Sequence, residues 1–443
     1  MPTPPAKSQF LLAAPSSGSG KTTLTLGLLR ALARRGLAVQ PFKCGPDYLD
    51  THHHSQAAGR PSLNLDLFMA SPAHARATYA CATHAADVAV VEGVMGLFDG
   101  ADRMQGSSAA VAELLDLPIV LVVNAKAMAY SVAPLLFGFK HFYPGIRLVG
   151  AIFNFVNTAS HYQFLQEACA DVGVEALGYL PSRPEFAIPS RHLGLSIDAE
   201  IQQEAVVEAL ADLLPQTVDL DRLLALTTQP APVLLPSPVE GPPPATRPRI
   251  AVARDAAFTF TYHQNLQVLA EFGEVSYFSP LADAALPPGT DFLYLPGGYP
   301  ELFAEALSAN GPMLASIAAY CAAGGAAYAE CGGLMYLGTS IIAANGHAFP
   351  MAAVLPCTTS MENAKLTLGY RTVEWNGLTL KGHEFHYSQL TDHGLMPEPA
   401  HITSAREIAV PVQLYRQGKV LASYVHLYWG ENKEFIKKML GRG

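Results

Sequence analysis

The chain has 443 residues, enough for two or three domains at about 150 residues each. Half of the residues are hydrophobic and 15% are charged, so there is ample apolar material to bury and disorder is excluded as the main state. The formal net charge of −9, from 28 Lys and Arg against 37 Asp and Glu, argues against the broad basic surface of a non-specific nucleic-acid binder. No apolar run approaches the ~18 residues that span a bilayer, so no membrane association is expected.

The first predicted strand is the apolar run Phe10–Ala14, too short for the core of a secretion signal. It leads through Pro15-Ser16-Ser17-Gly18-Ser19-Gly20 into Lys21-Thr22-Thr23, and helical spacing then extends over 21–35. Strand, Gly-rich loop, Lys-Thr and helix in that order make a phosphate cradle. Glycines let backbone N–H groups face phosphate, and the helix N-terminus adds a favourable partial charge. Gly18, Gly20, Lys21, Thr22 and Thr23 are the candidate ATP-binding residues, with Lys21 on the β and γ phosphates and the Thr22 hydroxyl on Mg²⁺. Pro15 stands where the general motif has its first glycine. A loop that merely turns the chain is the competing reading, and the coincidence of four features disfavours it.

Lys43 to Tyr48 follow a short strand, and Lys43 and Asp47 fall at its carboxyl end, where open α/β sheets place ligands. They are candidate substrate or nucleotide contacts. Cations are sparse, so Lys21, Lys43, Arg60 and Arg191 are candidates for anionic groups, against the alternative of solvated surface charge. The triplet His52-His53-His54 is disfavoured as a metal site, because adjacent residues cannot all point at one ion.

The next predicted strand covers 88–93 and ends near Glu92, a carboxylate placed to hold Mg²⁺ or its water; capping the following segment is its other reading. Asp99 is as readily a turn residue as a ligand. Strands over 118–123 and 149–156 alternate with helices over 107–115 and 161–172, which implies right-handed crossovers and a doubly wound parallel sheet. Prolines crowd Thr227–Arg249, so this stretch reads as a linker. The expected domains are 1–227, a P-loop synthetase; 228–248, the linker; and 249–443, a second doubly wound α/β domain.

In the second domain strands are predicted over 250–253, 292–295, 326–329 and 420–425, with helices over 265–271 and 315–323. The run ending at Cys331, followed by Gly332-Gly333, has the layout of a nucleophile elbow. A helix N-terminus there is expected to favour the thiolate. The Gly332 N–H and a donor from Leu295–Glu301, assigned to Gly298, would hold an oxyanion. His426 is the candidate general base, with a core or turn histidine as its alternative. The other five cysteines lack such an elbow and read as packing residues. Six scattered cysteines without a C-x-x-C pair point to reduced thiols in the cytoplasm.

Taken together, these segments resemble the cobyrinate and hydrogenobyrinate a,c-diamide synthases, glutamine-dependent amidases of corrin biosynthesis. The likeness spans nearly the whole chain. It rests on Ser16–Thr23, Lys43–Asp50, Gly59–Asp66, Val90–Gly100 and Pro189–Leu195, then on Val252–Tyr262, Leu295–Leu302, Ala329–Leu337, Leu368–Arg371, Gly382–Ser388 and Ser423–Trp429. It implies a dethiobiotin-synthetase-like P-loop domain followed by a class I glutamine amidotransferase domain. The family's nucleophile falls on Cys331 and its histidine on His426; its ATP and Mg²⁺ elements fall on Gly20, Lys21, Thr22 and Glu92. The substrates implied are ATP, glutamine and a corrin polycarboxylate, with ammonia passing between the two sites and a homodimer left open. Many class I amidotransferases carry a glutamate two residues after the histidine; this chain has Tyr428 there, so the third member is absent or comes from elsewhere. Rivals are a cobyric acid synthase, a nickel-sirohydrochlorin diamide synthase, or a non-catalytic P-loop switch resembling the partitioning ATPases.

Overall fold

The structure, a computed structural model, describes residues 6–186, 197–234 and 247–441. Arg191 and the Pro189–Leu195 segment lie outside the described residues, as does most of the expected linker. The chain divides into two compact units, Met1–Ser237 and Pro238–Gly443.

The first unit runs β1 (Ala6–Ala13), α1 (Lys21–Arg34), β2 (Val39–Cys44), α2 (Leu49–Ala58), β3 (Leu63–Leu65), α3 (Pro72–Thr83), β4 (Val88–Glu92), α4 (Ser108–Leu114), β5 (Pro118–Asn124), α5 (Val132–His141), β6 (Arg147–Asn154), α6 (Ala159–Val172), β7 (Glu175–Leu180), α7 (Ile197–Thr217), α8 (Leu220–Leu226) and β8 (Thr228–Pro230). Its sheet has the order β3-β2-β4-β1-β5-β6-β7, and these seven strands are parallel. Side chains alternate between faces along a strand, and here both faces are covered. Phe10 and Leu12 join Leu24 and Leu28 of α1 and Leu210 and Leu214 of α7. Leu11 and Ala13 join Leu121, Phe153, Leu136 of α5 and Leu165 of α6 on the other face. That double burial is why β1 reads as an unbroken apolar run. The short β8 pairs antiparallel with the start of β1, Ala6 opposite Pro230, so the first residues of the proline-rich stretch belong to this sheet rather than to a linker.

The second unit comprises β9 (Arg249–Ala253), α9 (His263–Phe272), β10 (Glu274–Phe278), β11 (Phe292–Leu295), α10 (Ala304–Ala309), α11 (Gly311–Ala322), β12 (Ala326–Glu330), α12 (Gly332–Leu337), β13 (Ser340–Ile342), β14 (Ala348–Pro350), β15 (Cys357–Ser360), β16 (Thr367–Trp375), β17 (Leu378–His386), β18 (Gln389–His393), β19 (Ala400–Ser404), β20 (Leu414–Gln417), β21 (Val420–Ser423), β22 (His426–Tyr428) and α13 (Glu434–Met439). Its main sheet is β10-β9-β11-β12-β21-β20, parallel except for the antiparallel edge β20–β21. Helices α10, α11 and α12 pack on one face. The other face meets α9, α13 and a second sheet, β19-β16-β17-β22, through Val373, Trp375, Leu427 and Trp429. A third sheet, β14-β13-β15-β18, follows the elbow helix.

These two extra sheets are absent from the sequence reading, although one carries a local signal. Trp375 pairs with Leu378 across Asn376-Gly377, both with positive φ, 47° and 76°. Asn-Gly is the turn dipeptide whose backbone twist matches a two-residue hairpin. The predicted strand over 420–425 also divides. β21 ends at Ser423 in the parallel sheet, and β22 begins at His426 in the other.

Asn265 of α9 holds this crossing. Its amide donates to Leu427 O at 2.8 Å, and its Oδ1 accepts from Trp429 N at 3.0 Å, all inside the core. Asn265→Ala leaves both backbone groups buried without these partners. It is expected to destabilise the second unit by about 2–4 kcal/mol, read as a lowered denaturation midpoint; an unchanged midpoint would show that the strand is held by other means.

Candidate active sites

In the first unit the carboxyl ends of β1, β2 and β4 meet. Register places Leu12 and Lys43 on either side of Glu92. The Glu92 side chain is fully buried. Its Oε1 accepts from the Thr22 hydroxyl and from the Lys43 ammonium, each at 2.8 Å, and its Oε2 lies 2.7 Å from His54 Nε2. Burial alone would raise this carboxyl; the Lys43 ammonium and His54 outweigh it and hold it well below the usual carboxylate range. Lys43 is itself buried, which would lower its pKa, yet Asp50 at 2.6 Å and Glu92 drive it above the ordinary lysine value.

The phosphate loop leaves β1 and closes at Gly20, whose φ of 91° caps α1. A Cβ there would stand 1.9 Å from Asn154 Nδ2, an amide that also donates to Ser19 O. Only glycine meets both demands. Lys21 Nζ donates to Met95 O at 2.5 Å, so the lysine lies over the loop that follows β4. That loop is tied to the cradle, since Leu97 N donates to Ala14 O. The Thr22 hydroxyl beside a carboxylate oxygen is a hard-oxygen donor set that fits Mg²⁺, a cation that keeps water and phosphate oxygens as its remaining ligands.

Other sequence candidates are placed differently. Lys43 is the penultimate residue of β2, and its ammonium pairs with the Asp50 and Glu92 carboxylates. Asp47 stands just before α2, its Oδ1 accepting from Asp50 N in the first turn at 2.8 Å. Arg60 donates to Ala85 O at 3.0 Å. Asp99 is a turn residue whose carboxylate accepts from Gly96 N. His54 turns inward to Glu92, while the His52 and His53 rings stand edge to face, 5.5 Å apart. Asp50 was missed, and His54 was weighed only within the histidine triplet; their one shared signal is helical spacing on the element that follows Lys43.

In the second unit Cys331 joins β12 to α12 with φ 45° and ψ −102°, a conformation that L-residues adopt only under strain. The two glycines after it permit close approach. A Cβ on Gly333 would lie 2.2 Å from Leu295 O, and one on Gly332 would lie 3.0 Å from Gly298 N. The Gly298 amide therefore lies beside the elbow. A Cβ on Gly297 would stand 2.2 Å from His426 Cε1. The Gly297-Gly298 segment thus approaches both the elbow and His426.

The electrostatics correct one expectation. Burial, then the Glu301 carboxylate, push the Cys331 thiol up; the Gly332 N–H opposes this, and Glu330 and Glu384 add to the rise. The elbow helix has six residues, and its end does not offset burial of a side chain 3% exposed. Burial, His383 and His386 likewise hold His426 well below the ordinary imidazole range. Both shifts favour the neutral forms of thiol and imidazole.

Several neighbours were not singled out from sequence. His383 stacks on His426 with ring centroids 5.1 Å apart and receives the Tyr262 hydroxyl on Nδ1 at 2.8 Å. Glu384 pairs with Arg371 and with His386, the latter at 3.1 Å. Glu330 is 1% exposed, and burial pushes its carboxyl up to about 8 against the Leu427 N–H and the Tyr294 hydroxyl. Tyr428, which the sequence did single out, packs edge to face on Tyr262 at 5.4 Å.

Comparison with known proteins finds a family for each unit. Residues 10–195 match the CobQ/CobB/MinD/ParA nucleotide binding domain, and residues 249–434 match the CobB/CobQ-like glutamine amidotransferase domain. A cobyrinate a,c-diamide synthase of Synechocystis sp. is 39% identical, with 97% of this chain and 92% of the relative covered. A hydrogenobyrinate a,c-diamide synthase of Brucella ovis is 41% identical over 94% of this chain and 98% of the relative. A cobyrinate a,c-diamide synthase of Listeria monocytogenes is 39% identical over 98% and 99%. A likeness that runs the full length of both units shows that the chain belongs to the cobyrinate and hydrogenobyrinate a,c-diamide synthase family, glutamine-dependent amidating ligases with a nucleotide-binding domain.

Proposed function

We propose that the chain amidates the a and c acetate carboxylates of cobyrinate or hydrogenobyrinate, using ATP to activate each carboxylate and glutamine as the nitrogen source. The observation that carries the nitrogen-donor half is the strained Cys331 elbow beside the Gly298 amide. The activating half is supported by the glycine cradle at Gly20 with Lys21, Thr22 and the buried Glu92.

At Cys331 the thiol proton passes to His426 as sulfur attacks the side-chain carbonyl carbon of glutamine. The Gly332 and Gly298 N–H groups hold the oxyanion. Its collapse breaks the C–N bond, the proton leaves with nitrogen, and ammonia departs from a thioester. Water then attacks the thioester, glutamate leaves, and the thiol is restored.

In the first unit the γ-phosphoryl group of ATP passes to a carboxylate oxygen, leaving ADP and an acyl phosphate. Ammonia adds to the acyl carbon and phosphate leaves, giving the amide. The sequence repeats at the second acetate. Lys21 stabilises charge on the transferring phosphoryl group. Thr22 and Glu92 would hold Mg²⁺, which supplies charge neutralisation at the β and γ phosphates. Asp47 and Lys43 keep the floor of this site in place through α2 and β2. We place the reaction in the cytoplasm, where ATP and glutamine are supplied; the described cysteines are all unpaired thiols. Among the described residues no helix is long and apolar enough to cross a membrane.

Incubation with cobyrinate, hydrogenobyrinate and other tetrapyrroles, with amides counted by mass, is expected to show two amides on the first two. Failure to release glutamate from glutamine with ATP and any of them would favour the P-loop switch. Cys331→Ser is expected to lower glutamine-dependent amidation by about 10³-fold or more while ammonia-dependent amidation persists. Lys21→Ala is expected to lower both by about 10²–10³-fold. The raised Cys331 thiol predicts that, at pH 7 without ligands, iodoacetamide modifies the exposed Cys81 first; peptide mapping showing Cys331 alkylated ahead of Cys81 would contradict the neutral resting thiol.

A further inference from the structure

We infer that Glu330 is the acid that positions His426, acting where many class I amidotransferases use a glutamate two residues beyond the histidine and this chain has Tyr428. The inference rests on the reading of Cys331 as nucleophile and His426 as base. Glu330 is the last residue of β12, immediately before the elbow, and pairs in register with Ser423 of β21. Its Oε2 lies 3.9 Å from His426 Nδ1.

Both of its oxygens are fixed by other donors. Oε1 accepts from Leu427 N at 2.9 Å, the amide next to His426, and Oε2 accepts from the Tyr294 hydroxyl at 3.0 Å. The carboxylate is thereby tied to the strand that carries the imidazole. The other polar neighbours are arranged for different tasks. His383 lies face to face with His426 at an interplanar angle of 21°, so its nitrogens do not point along the plane of the His426 ring. Glu384 is occupied by Arg371 and His386.

With Nδ1 turned toward the acid, Nε2 is the nitrogen left to serve the thiol. Burial raises this carboxyl to about 8, so its ionised fraction grows as pH rises towards that value; the ionised acid is the working form, since it accepts from Nδ1–H and leaves Nε2 ready to take the Cys331 proton. The ligand-free separation is longer than a hydrogen bond, as such contacts often are before substrate binds, and it closes as the ring gains charge. Tyr428 makes an edge-to-face contact with Tyr262. Glu330 acts on glutamine only through His426, which makes it a positioning residue.

The test is Glu330→Gln in the full chain. The amide preserves an acceptor for Leu427 N–H but offers N–H to Nδ1. It therefore stabilises the tautomer with its proton on Nε2, which cannot accept from sulfur. The expected result is a glutamine-dependent kcat lowered about 10²–10⁴-fold, with KM for glutamine within about twofold. ATP-driven amidation with ammonium chloride should run at the wild-type rate. The assignment is overturned if glutamine kcat stays within about threefold of wild type, or if both nitrogen sources lose activity by the same factor, as a merely structural role would give. Cys331→Ser in parallel separates the two levels. Glutamine use retained by that variant removes the amidotransferase reading itself, whereas glutamine use lost there but kept in Glu330→Gln removes only the role of Glu330.

Discussion

A buried carboxylate at the last residue of a parallel strand anchors each unit: Glu92 at the end of β4 and Glu330 at the end of β12. Both sit where a strand covered on two faces can first offer a polar group. Their partners differ, and so do their ionisations. Glu92 meets the Lys43 ammonium and His54 and is held ionised. Glu330 meets a backbone amide and a phenol, neutral donors that do not offset burial, and its carboxyl rises to about 8. The same desolvation thus yields a fixed anion suited to a phosphate and Mg²⁺ site in one unit, and a titratable acid beside an imidazole in the other.

Close backbone approach is the second constraint, and it follows from the first. Once the strands are packed on both faces, the loops leaving them must fold into the remaining space over the strand ends. Asn154 at the end of β6 reaches over the cradle to Ser19 O, and only a glycine at position 20 leaves it room. The Gly332-Gly333 pair lets the elbow settle against Leu295 and Gly298. In both units, small residues occur where two strand ends converge, and the reacting groups project from those points.

The linear pattern exposed much of this. β1, β4 and β5 are legible because double burial demands continuous apolar runs, and α1 because its apolar positions repeat at helical spacing over a marked phosphate loop. The antiparallel strands β16 and β17 are harder to read. One face of each packs while the other is polar, so they present no apolar block, and Asn376-Gly377 is their main punctuation. The division between Ser423 and His426 was hidden for the opposite reason: both flanking strands are apolar, and nothing local marks the change of sheet.

Local, contiguous patterns were legible in the sequence alone. The order Gly18, Gly20, Lys21, Thr22 and the order Cys331, Gly332, Gly333 each define a loop whose function depends on neighbouring backbone atoms. Partnership among distant residues was decided only by the tertiary structure. Lys43 reads as an available cation until Asp50 and Glu92 are seen to enclose it. Cys331 reads as an activated thiolate until its burial and acidic neighbours are counted. Glu330 reads as one more strand residue until β22 brings His426 to within 3.9 Å of it. The energy of a buried charge depends on what surrounds it in three dimensions, and separation along the chain does not encode that surrounding.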